Sequence, residues 1–269
     1  MMQFFKKVKS RLVNIVRDKV EKNNLKNMRK NNELWKVLND YMAKSKSTGC
    51  QYSDYWELYS FVRKNKPKEI LECGTGVSTI VMAYALLENE KEGYNGRITS
   101  VESVKEYYEM AKEILPVHIA PYVDLICSPL IEDYYALFRG VRYKDVPLDR
   151  TYDFVYVDGP SYTAPSDGTI AFDFDYLHIV KNSDKPVYAI IDKRVSTCYV
   201  FQKIFGLEKV KYNALIHLGF AGPCSKEDIK HFVQKFPSSA FGKSFKPFGK
   251  TELNLKLNDL LFKDKNEKK

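Results

Sequence analysis

The chain lacks any long apolar run. None of its apolar stretches approaches the ~18–20 residues that a helix needs to span a bilayer. Residues 1–9 include three lysines, but no apolar core or small-residue cleavage site follows them, so we do not expect a secretory signal. The five cysteines are far apart and odd in number, with neither zinc-ligand spacing nor the pattern of a disulfide framework. These absences together favour a protein of the reducing cytoplasm.

Positive charge is concentrated at the two ends of the sequence. The 269 residues carry a formal net charge of +9. Residues 1–30 hold ten Lys or Arg against two acidic residues, residues 243–269 hold eight Lys against four, and the stretch between them is slightly acidic. An enzyme that acts on nucleic acid is expected to line its active face with basic residues. We therefore do not expect nucleic acid as a partner.

The basic N-terminal segment has the periodicity of an amphipathic helix. Apolar residues recur at helical spacing between residues 5 and 20, and most of the basic residues lie on the opposite side. Such a helix can bind an anionic membrane surface, where each basic residue adds about 1 kcal/mol. It can equally pack on its own domain or on a partner subunit. The pattern leaves open a peripheral membrane contact through residues 1–22.

Residues 67–80 are the most informative stretch of the chain. A short apolar strand runs into Glu72, then into the turn Gly74-Thr-Gly76, and a helix is predicted to begin near Ser78. Because glycine has no side chain, backbone amides and a helix N-terminus can approach a nucleotide-like ligand there. The third glycine of the dinucleotide fingerprint is missing. The Glu72 carboxylate would repel a pyrophosphate, whereas a sulfonium or a cationic amino-acid moiety would tolerate it.

Two further predicted strands end in acidic residues. Glu102 closes an apolar strand 28 residues after Gly74, where a carboxylate can accept hydrogen bonds from both hydroxyls of a ribose. The run 154–157 is apolar throughout, as in a central parallel strand, and ends in Asp158-Gly-Pro. Ligands of doubly wound sheets lie beyond the carboxyl ends of the strands, so Asp158 is predicted to face the site.

These motifs resemble those of the class I S-adenosylmethionine-dependent methyltransferases, whose first motif reads acidic-x-Gly-x-Gly. The run from Tyr152 to Gly159 is similar to the fourth strand of small-molecule O-methyltransferases, including the catechol-type group. The resemblance covers about residues 55–220, and it implies S-adenosylmethionine as cofactor and S-adenosylhomocysteine as product. It implies cofactor contacts from Glu72, Gly74, Gly76, Ser78, Glu102, Ser128 and Asp158. Ser128 stands where an acidic residue more often contacts the adenine.

The predicted fold class is α/β, with a Rossmann-like, doubly wound, mostly parallel seven-stranded sheet and an N-terminal helical extension. Strands are predicted over 69–72, 98–101, 122–127, 154–157, 187–191 and 212–218. Helices are predicted over 34–42, 55–62, 78–88, 104–115, 132–138, 174–180 and 197–205. We expect a helical cap (1–66), a cofactor-binding domain (67–220) and a substrate-side extension with a charged tail (221–269). Substrate recognition is expected in the variable segments 161–173 and 219–250.

Asp158 and Asp192, at neighbouring strand ends, are the predicted catalytic residues. Methyl transfer needs an aligned nucleophile, and an oxygen nucleophile must also lose its proton to a general base or to a metal-activated site. The resemblance to catechol-type enzymes implies a Mg²⁺ site at the two carboxylates. The sequence departs from that pattern, because Lys193 follows Asp192 where an Asn or Asp ligand is expected. Lys193 and Arg194 could instead bind an anionic substrate.

We expect the methyl acceptor to be a hydroxyl of a small molecule, such as a sugar or a glycan precursor. The Asn/Asp-Pro-Pro-Tyr signature of enzymes that methylate DNA or glutamine is absent. His178 is interpreted as a packed or surface residue, and His217 fits a core position as well as a catalytic one. Three alternatives stay open: a nicotinamide dehydrogenase, a polyamine synthase that uses the decarboxylated cofactor, and a non-catalytic membrane or nucleic-acid adaptor.

Overall fold

The structure is a computed structural model that describes residues 2–46 and 51–229, with side chains from residue 13 onward. This part of the chain contains ten strands and seven α-helices. The strands are β1 (Glu69–Cys73), β2 (Arg97–Glu102), β3 (Val123–Cys127), β4 (Leu130–Tyr135), β5 (Phe138–Tyr143), β6 (Phe154–Val157), β7 (Phe172–Asp173), β8 (Val187–Asp192), β9 (Val210–Asn213) and β10 (Leu218–Cys224). The helices are α1 (Met2–Lys30), α2 (Asn32–Met42), α3 (Tyr52–Asn65), α4 (Val77–Lys91), α5 (Lys105–Ile114), α6 (Asp175–Asn182) and α7 (Val195–Phe205).

Seven of the strands form one sheet in the order β3-β2-β1-β6-β8-β10-β9. The neighbouring pairs from β3 to β8 are parallel, and β10 runs antiparallel to β8 and to β9. Strand order reverses between β1 and β6, which is where ligands bind in doubly wound sheets. The predicted fold class, including the mostly parallel seven-stranded sheet and the N-terminal helices, is confirmed.

Helices cover both faces of this sheet. All four residues of β6 are buried, because a central parallel strand packs against helices on either side. One apolar core joins the sheet to α2, α3 and α4, and a second core joins it to α6 and α7. Helix α4 is buried on nearly all sides, which explains why its sequence lacks a polar face.

The N-terminal helices pack against the sheet domain. Met28 of α1 is fully buried in the same core as α4. The Glu21 carboxylate accepts hydrogen bonds from the backbone N–H and the hydroxyl of Ser53 at 3.0 and 2.6 Å, so it caps the N-terminus of α3. Ile15 and Val16 remain exposed on α1. Within the described residues, no helix has the length and apolar character required of a membrane span.

The predicted helix over 132–138 is wrong. These residues belong to the antiparallel hairpin of β4 and β5, which forms a small second sheet in the order β4-β5-β7. Ala136 adopts φ +52° at the turn. Cross-strand ion pairs hold the hairpin, Arg139 with Glu132 at 2.8 Å and Arg142 with Asp133 at 2.9 Å. These pairings stabilise strands in a sequence whose helical and strand periodicities are hard to separate.

The predicted strand over 212–218 is also wrong in its bounds. The chain forms β9 before this stretch and β10 after it, and the two strands pair in antiparallel register. His217 therefore lies in the connecting turn, with φ +58°, and not within a strand. The remaining predicted helices and strands are present, with ends that differ by a few residues.

The division of the chain into domains at residues 1–66, 67–220 and 221–269 stays a prediction. Residues before the predicted boundary at 66 share an apolar core with α4, so the helical cap and the sheet domain pack together. The apolar positions 5, 8 and 12 of the amphipathic pattern, residues 230–250 of the second variable segment and the charged tail lie outside the described side chains.

Candidate functional site

Two glycine turns meet at the point where strand order reverses. Gly74 follows β1 with φ +95°, a conformation that side-chain-bearing residues rarely adopt. A Cβ built on Gly74 would lie 3.1 Å from the backbone nitrogen of Gly159, which follows β6. A Cβ on Gly159 would lie 2.5 Å from the hydroxyl of Tyr143. The missing side chains thus let the two turns pack directly against each other at the carboxyl edge of the sheet. These two turns, together with Gly76 at the start of α4, are called the cradle below.

Glu72 lies beneath this turn and is fully buried. Its carboxylate accepts hydrogen bonds from the hydroxyls of Ser78 at 2.6 Å, Thr79 at 2.5 Å and Ser100 at 2.6 Å. Burial raises the pKa of Glu72 to about 7; the three hydroxyl donors lower it and Glu102 raises it. The geometry gives Glu72 and Ser78 a supporting position under the cradle, and their contact with a cofactor stays a prediction.

The Glu72→Gln variant is expected to lose pH dependence of stability. The unfolded chain has a Glu pKa near 4.5 and the folded chain one of about 7, so the folded state binds this proton more tightly. The associated stability is present below pH 4.5 and is lost as the pH rises towards 7. Between pH 5 and 8 the wild type should lose about 2 kcal/mol of unfolding free energy more than the variant. Urea unfolding at both pH values measures this difference.

Glu106→Gln, which changes an exposed glutamate on α5, is the control for that comparison. It should follow the wild type at both pH values. If the unfolding free energies of the wild type and Glu72→Gln changed equally with pH, the raised pKa of buried Glu72 would be contradicted.

Glu102 ends β2 and reaches the same cradle. One carboxylate oxygen, Oε1, accepts hydrogen bonds from the backbone N–H groups of Ser103 at 2.7 Å and Val104 at 2.8 Å. The other, Oε2, is 3.4 Å from the backbone nitrogen of Thr75 in the glycine turn. The two short hydrogen bonds to Oε1 hold Glu102 in place. Its Oε2 is directed towards the turn and accepts one long hydrogen bond there.

Ser128 follows β3 and is buried. Its hydroxyl oxygen accepts a hydrogen bond from the backbone N–H of Asp145 at 2.9 Å. Its own backbone nitrogen donates to the carbonyl of Glu102 at 2.9 Å. The structure places Ser128 next to the end of β2 but commits its hydroxyl to a loop contact, so its contact with an adenine stays a prediction.

Three carboxyl groups come together beyond β6 and β8. Asp158 follows β6, Asp192 ends β8, and Asp54 comes from the first turn of α3. Solvent reaches Asp158, although protein surrounds most of its carboxyl group. This crowding and the adjacent Asp192 raise the pKa of Asp158 well above its usual range. Burial, followed by Asp192, raises the pKa of Asp54 to about 8, and Lys193 opposes the shift.

Lys193 and Arg194 have different partners. The Lys193 ammonium lies 3.6 Å from Oδ2 of Asp192 and 4.0 Å from Oδ2 of Asp54. Arg194 donates to the backbone carbonyls of Asp158 at 2.6 Å and Pro160 at 2.8 Å, and its side chain is mostly buried. Arg194 also pairs with Asp173 of β7 at 2.7 Å. Arg194 thus holds the turn after β6 in place, and of the two cations Lys193 is the one open to a substrate.

The two candidate histidines lie in different places. His178 is half-buried on α6 beside Arg142 and Asp133 of the small sheet, and burial lowers its pKa to about 4. Burial is the main cause that lowers the pKa of His217, and the nearby cations Arg17 and Lys193 lower it further. The structure therefore brings His217, and not His178, towards the carboxyl cluster.

The first variable segment, 161–173, is tied to the small sheet by Arg139. The guanidinium donates to the carboxylate of Asp167 at 2.7 Å and to the hydroxyl of Ser166 at 2.6 Å, while it pairs with Glu132 of β4. The hairpin that the sequence did not predict is thus the support of this segment.

Sequence reasoning missed Asp54 and Arg17. An acidic residue in the first turn of a helix is ordinary, so nothing in the sequence marks Asp54 as part of a site. Arg17 donates to the backbone carbonyl of Ala214 at 3.2 Å, across 197 residues of sequence. The packing of α3 beside β8, and of α1 against the turn after β9, brings these side chains to the site.

The side chains do not form a ready metal site. Within the described residues, no group of three or more His, Cys, Asp and Glu side chains has an arrangement that could hold a metal ion. Mg²⁺ requires near-ideal octahedral oxygen ligation. The Mg²⁺ site implied by the sequence resemblance therefore does not fit the residues present.

Comparisons with known proteins identify a family model that matches part of the chain and a solved structure with a similar fold. Residues 71–178 match the model of a family described as a methyltransferase domain. A putative caffeoyl-CoA O-methyltransferase from Staphylococcus aureus is a structural match with a TM-score of 0.50 and 16% identity, covering 75% of this chain and 99% of that chain. At this identity the match shows the fold alone. No curated protein matches the chain.

Two further solved structures are more distant in shape. The O-methyltransferase from Bacillus cereus, in complex with SAH, has a TM-score of 0.43 and 17% identity over 70% of this chain and 87% of that chain. The O-methyltransferase TomG from Streptomyces achromogenes, in complex with SAM, has a TM-score of 0.39 and 20% identity. That match covers 59% of this chain and 64% of the TomG chain.

Proposed function

We propose that this chain, whose residues 71–178 match the model of a methyltransferase domain, is a class I S-adenosylmethionine-dependent methyltransferase that transfers a methyl group to a hydroxyl of a small molecule. The observation that carries the proposal is the contact between the Gly74 and Gly159 turns. A cofactor bound at these turns would lie beside Asp158, a residue that solvent reaches. A methyl donor and an acceptor need such adjacent positions for in-line displacement.

The cradle suits this cofactor. Gly74 and Gly76 let a ligand approach the backbone closely beside the N-terminus of α4. Oε2 of Glu102 faces the same turn and would accept hydrogen bonds from the ribose hydroxyls. The cofactor supplies a methyl carbon on a sulfonium, which leaves as the thioether of S-adenosylhomocysteine. The acidic surroundings of Glu72 and Glu102 favour a cationic ligand over a pyrophosphate.

Asp158 is the proposed general base. With the cofactor bound, its sulfonium would supply the methyl group to the acceptor oxygen, and the Asp158 carboxylate would take the proton of that hydroxyl. A carboxyl group with a raised pKa is a stronger base than an ordinary one when it is ionised. Asp192 adjoins Asp158 and contributes to that raised pKa.

The proposed acceptor is a small hydroxylated molecule with anionic character, such as a sugar or a glycan precursor. Arg17, Lys193 and His217 approach one another near the carboxyl cluster. The cationic side chains of Arg17 and Lys193 near this cluster favour an acceptor that carries an acidic or phosphate group. Separately, exposed Ile15 and Val16 support peripheral membrane contact of α1, which stays a prediction.

Calorimetric titration of the full chain with S-adenosylmethionine and S-adenosylhomocysteine, with NAD as control, tests the cofactor. We expect binding of both sulfur compounds and none of NAD. Binding of NAD alone would instead support the nicotinamide-dependent alternative, and no binding at all would support the adaptor. A screen of hydroxylated acceptors, anionic and neutral, then follows the release of S-adenosylhomocysteine.

A further inference from the structure

The position after Asp192 carries a cation instead of a metal ligand. An ammonium group has three donors and no acceptor, so Lys193 cannot coordinate Mg²⁺, which takes oxygen ligands. The substitution alone shows only that one ligand of the implied metal site is missing. The contacts of the ammonium show what replaces it.

Two buried carboxylates face the Lys193 ammonium. It lies 3.6 Å from Oδ2 of Asp192 and 4.0 Å from Oδ2 of Asp54, and the Asp54 side chain is only 5% exposed. Oδ1 of Asp54 and Oδ1 of Asp192 are buried and have no hydrogen-bond partner among the described residues. Buried carboxylates without a compensating positive charge are strongly destabilising. Lys193 is the cation beside both carboxyl groups, and it lowers the pKa of Asp54 against the opposing effects of burial and Asp192.

The backbone of Lys193 fixes this arrangement. Its φ of +47° is uncommon for a residue with a side chain, and its N–H donates to the carbonyl of His217 at 2.8 Å. Such an outlier persists only where the surrounding structure holds it, and outliers of this kind cluster at functional sites. The left-handed turn here places the ammonium against carboxylates of both β8 and α3.

We infer that the Lys193 ammonium, held by Asp54 and Asp192, is the resident cation of the acceptor site and takes the place of a divalent metal. The inference rests on the proposed function for the identity of the acceptor, but the position of the Lys193 ammonium between Asp54 and Asp192 does not depend on that function. Lys193 remains partly exposed, at 38%, so its ammonium can donate a hydrogen bond to the acceptor oxygen. It positions that oxygen while the proton leaves for Asp158.

Mn²⁺ binding to the full chain, followed by electron paramagnetic resonance, tests this inference without an acceptor. Wild type is compared with Lys193→Asn, which removes the ammonium, adds an oxygen ligand and tolerates the left-handed backbone. Lys66→Asn is the matched control, because Lys66 has a φ of +51° at the end of α3. We expect no binding by wild type or Lys66→Asn at millimolar Mn²⁺, and clear binding by Lys193→Asn.

Two outcomes would overturn the inference. One is Mn²⁺ binding by the wild type that Asp192→Asn abolishes, a result that does not depend on how Lys193→Asn folds. The other is a folded Lys193→Asn variant, judged by its thermal melt, that binds Mn²⁺ no better than wild type. Calorimetry with S-adenosylmethionine separates these results from the proposed function, because cofactor binding can fail while the Mn²⁺ result stands.

Discussion

Asp158→Asn should lower the rate of methyl transfer by about two to four orders of magnitude while the protein stays folded. The amide has nearly the shape of the carboxylate but cannot take the proton of the acceptor hydroxyl. The backbone of residue 158 is held independently, because its N–H donates to the carbonyl of Cys73 and its own carbonyl accepts from Arg194. Release of S-adenosylhomocysteine at saturating acceptor, identified in the screen, measures the rate.

Asp184→Asn is the control for this experiment. Asp184 is almost fully exposed and pairs with Lys226 on the surface, so its replacement should leave the rate unchanged. Calorimetry on Asp158→Asn should show that the cofactor still binds. A variant with wild-type turnover would remove Asp158 from the role of general base.

Glu102→Ala should weaken binding of S-adenosylhomocysteine by about 10-fold to 100-fold. A hydrogen bond to a charged group contributes about 1.5–3 kcal/mol, and each 1.4 kcal/mol is a factor of about ten in affinity. The structure limits the expected loss, because Oε1 is already occupied by the N–H groups of Ser103 and Val104. Only Oε2 is available to the ribose hydroxyls. Calorimetric titration of the variant measures the change.

Glu102→Gln distinguishes cofactor contact from local support. The amide keeps an acceptor for the N–H groups after β2 but loses the negative charge, so its affinity should fall between those of wild type and Glu102→Ala. Thermal melts of both variants report how far the turn depends on the carboxylate. If Glu102→Ala melts like wild type and binds the cofactor equally well, the ribose assignment is wrong.

The sequence predicts the parts of this site that follow from strand ends. The apolar run of β6 is unambiguous, and its bounds agree with the prediction. Because carboxyl ends of parallel strands share one edge, the positions of Gly74, Glu102 and Asp158 at that edge follow from the alternation of strands and helices. These positions follow from local sequence patterns, and they hold even where a predicted strand end differs from the observed one by a few residues.

The parts that could not be predicted depend on packing between distant segments. Asp54 and Lys193 are 139 residues apart, and only the docking of α3 beside β8 makes them neighbours. The hairpin of β4 and β5 depends on cross-strand ion pairs such as Arg142 with Asp133, which a local reading of residues 132–138 does not contain. Lys193 itself was visible as a departure from the metal pattern, but its partners were not.

The contact between the Gly74 and Gly159 turns limits which parts of the proposed site can vary in sequence. The spacing between the two turns is a main-chain dimension, since a Cβ on either glycine would press on backbone or on the Tyr143 hydroxyl. No side chain there can be lengthened or shortened to adjust that spacing. In the proposed site, different acceptors would therefore be accommodated at the periphery, through segment 161–173 held by Arg139 or through the groups around Lys193, with the distance between the turns unchanged.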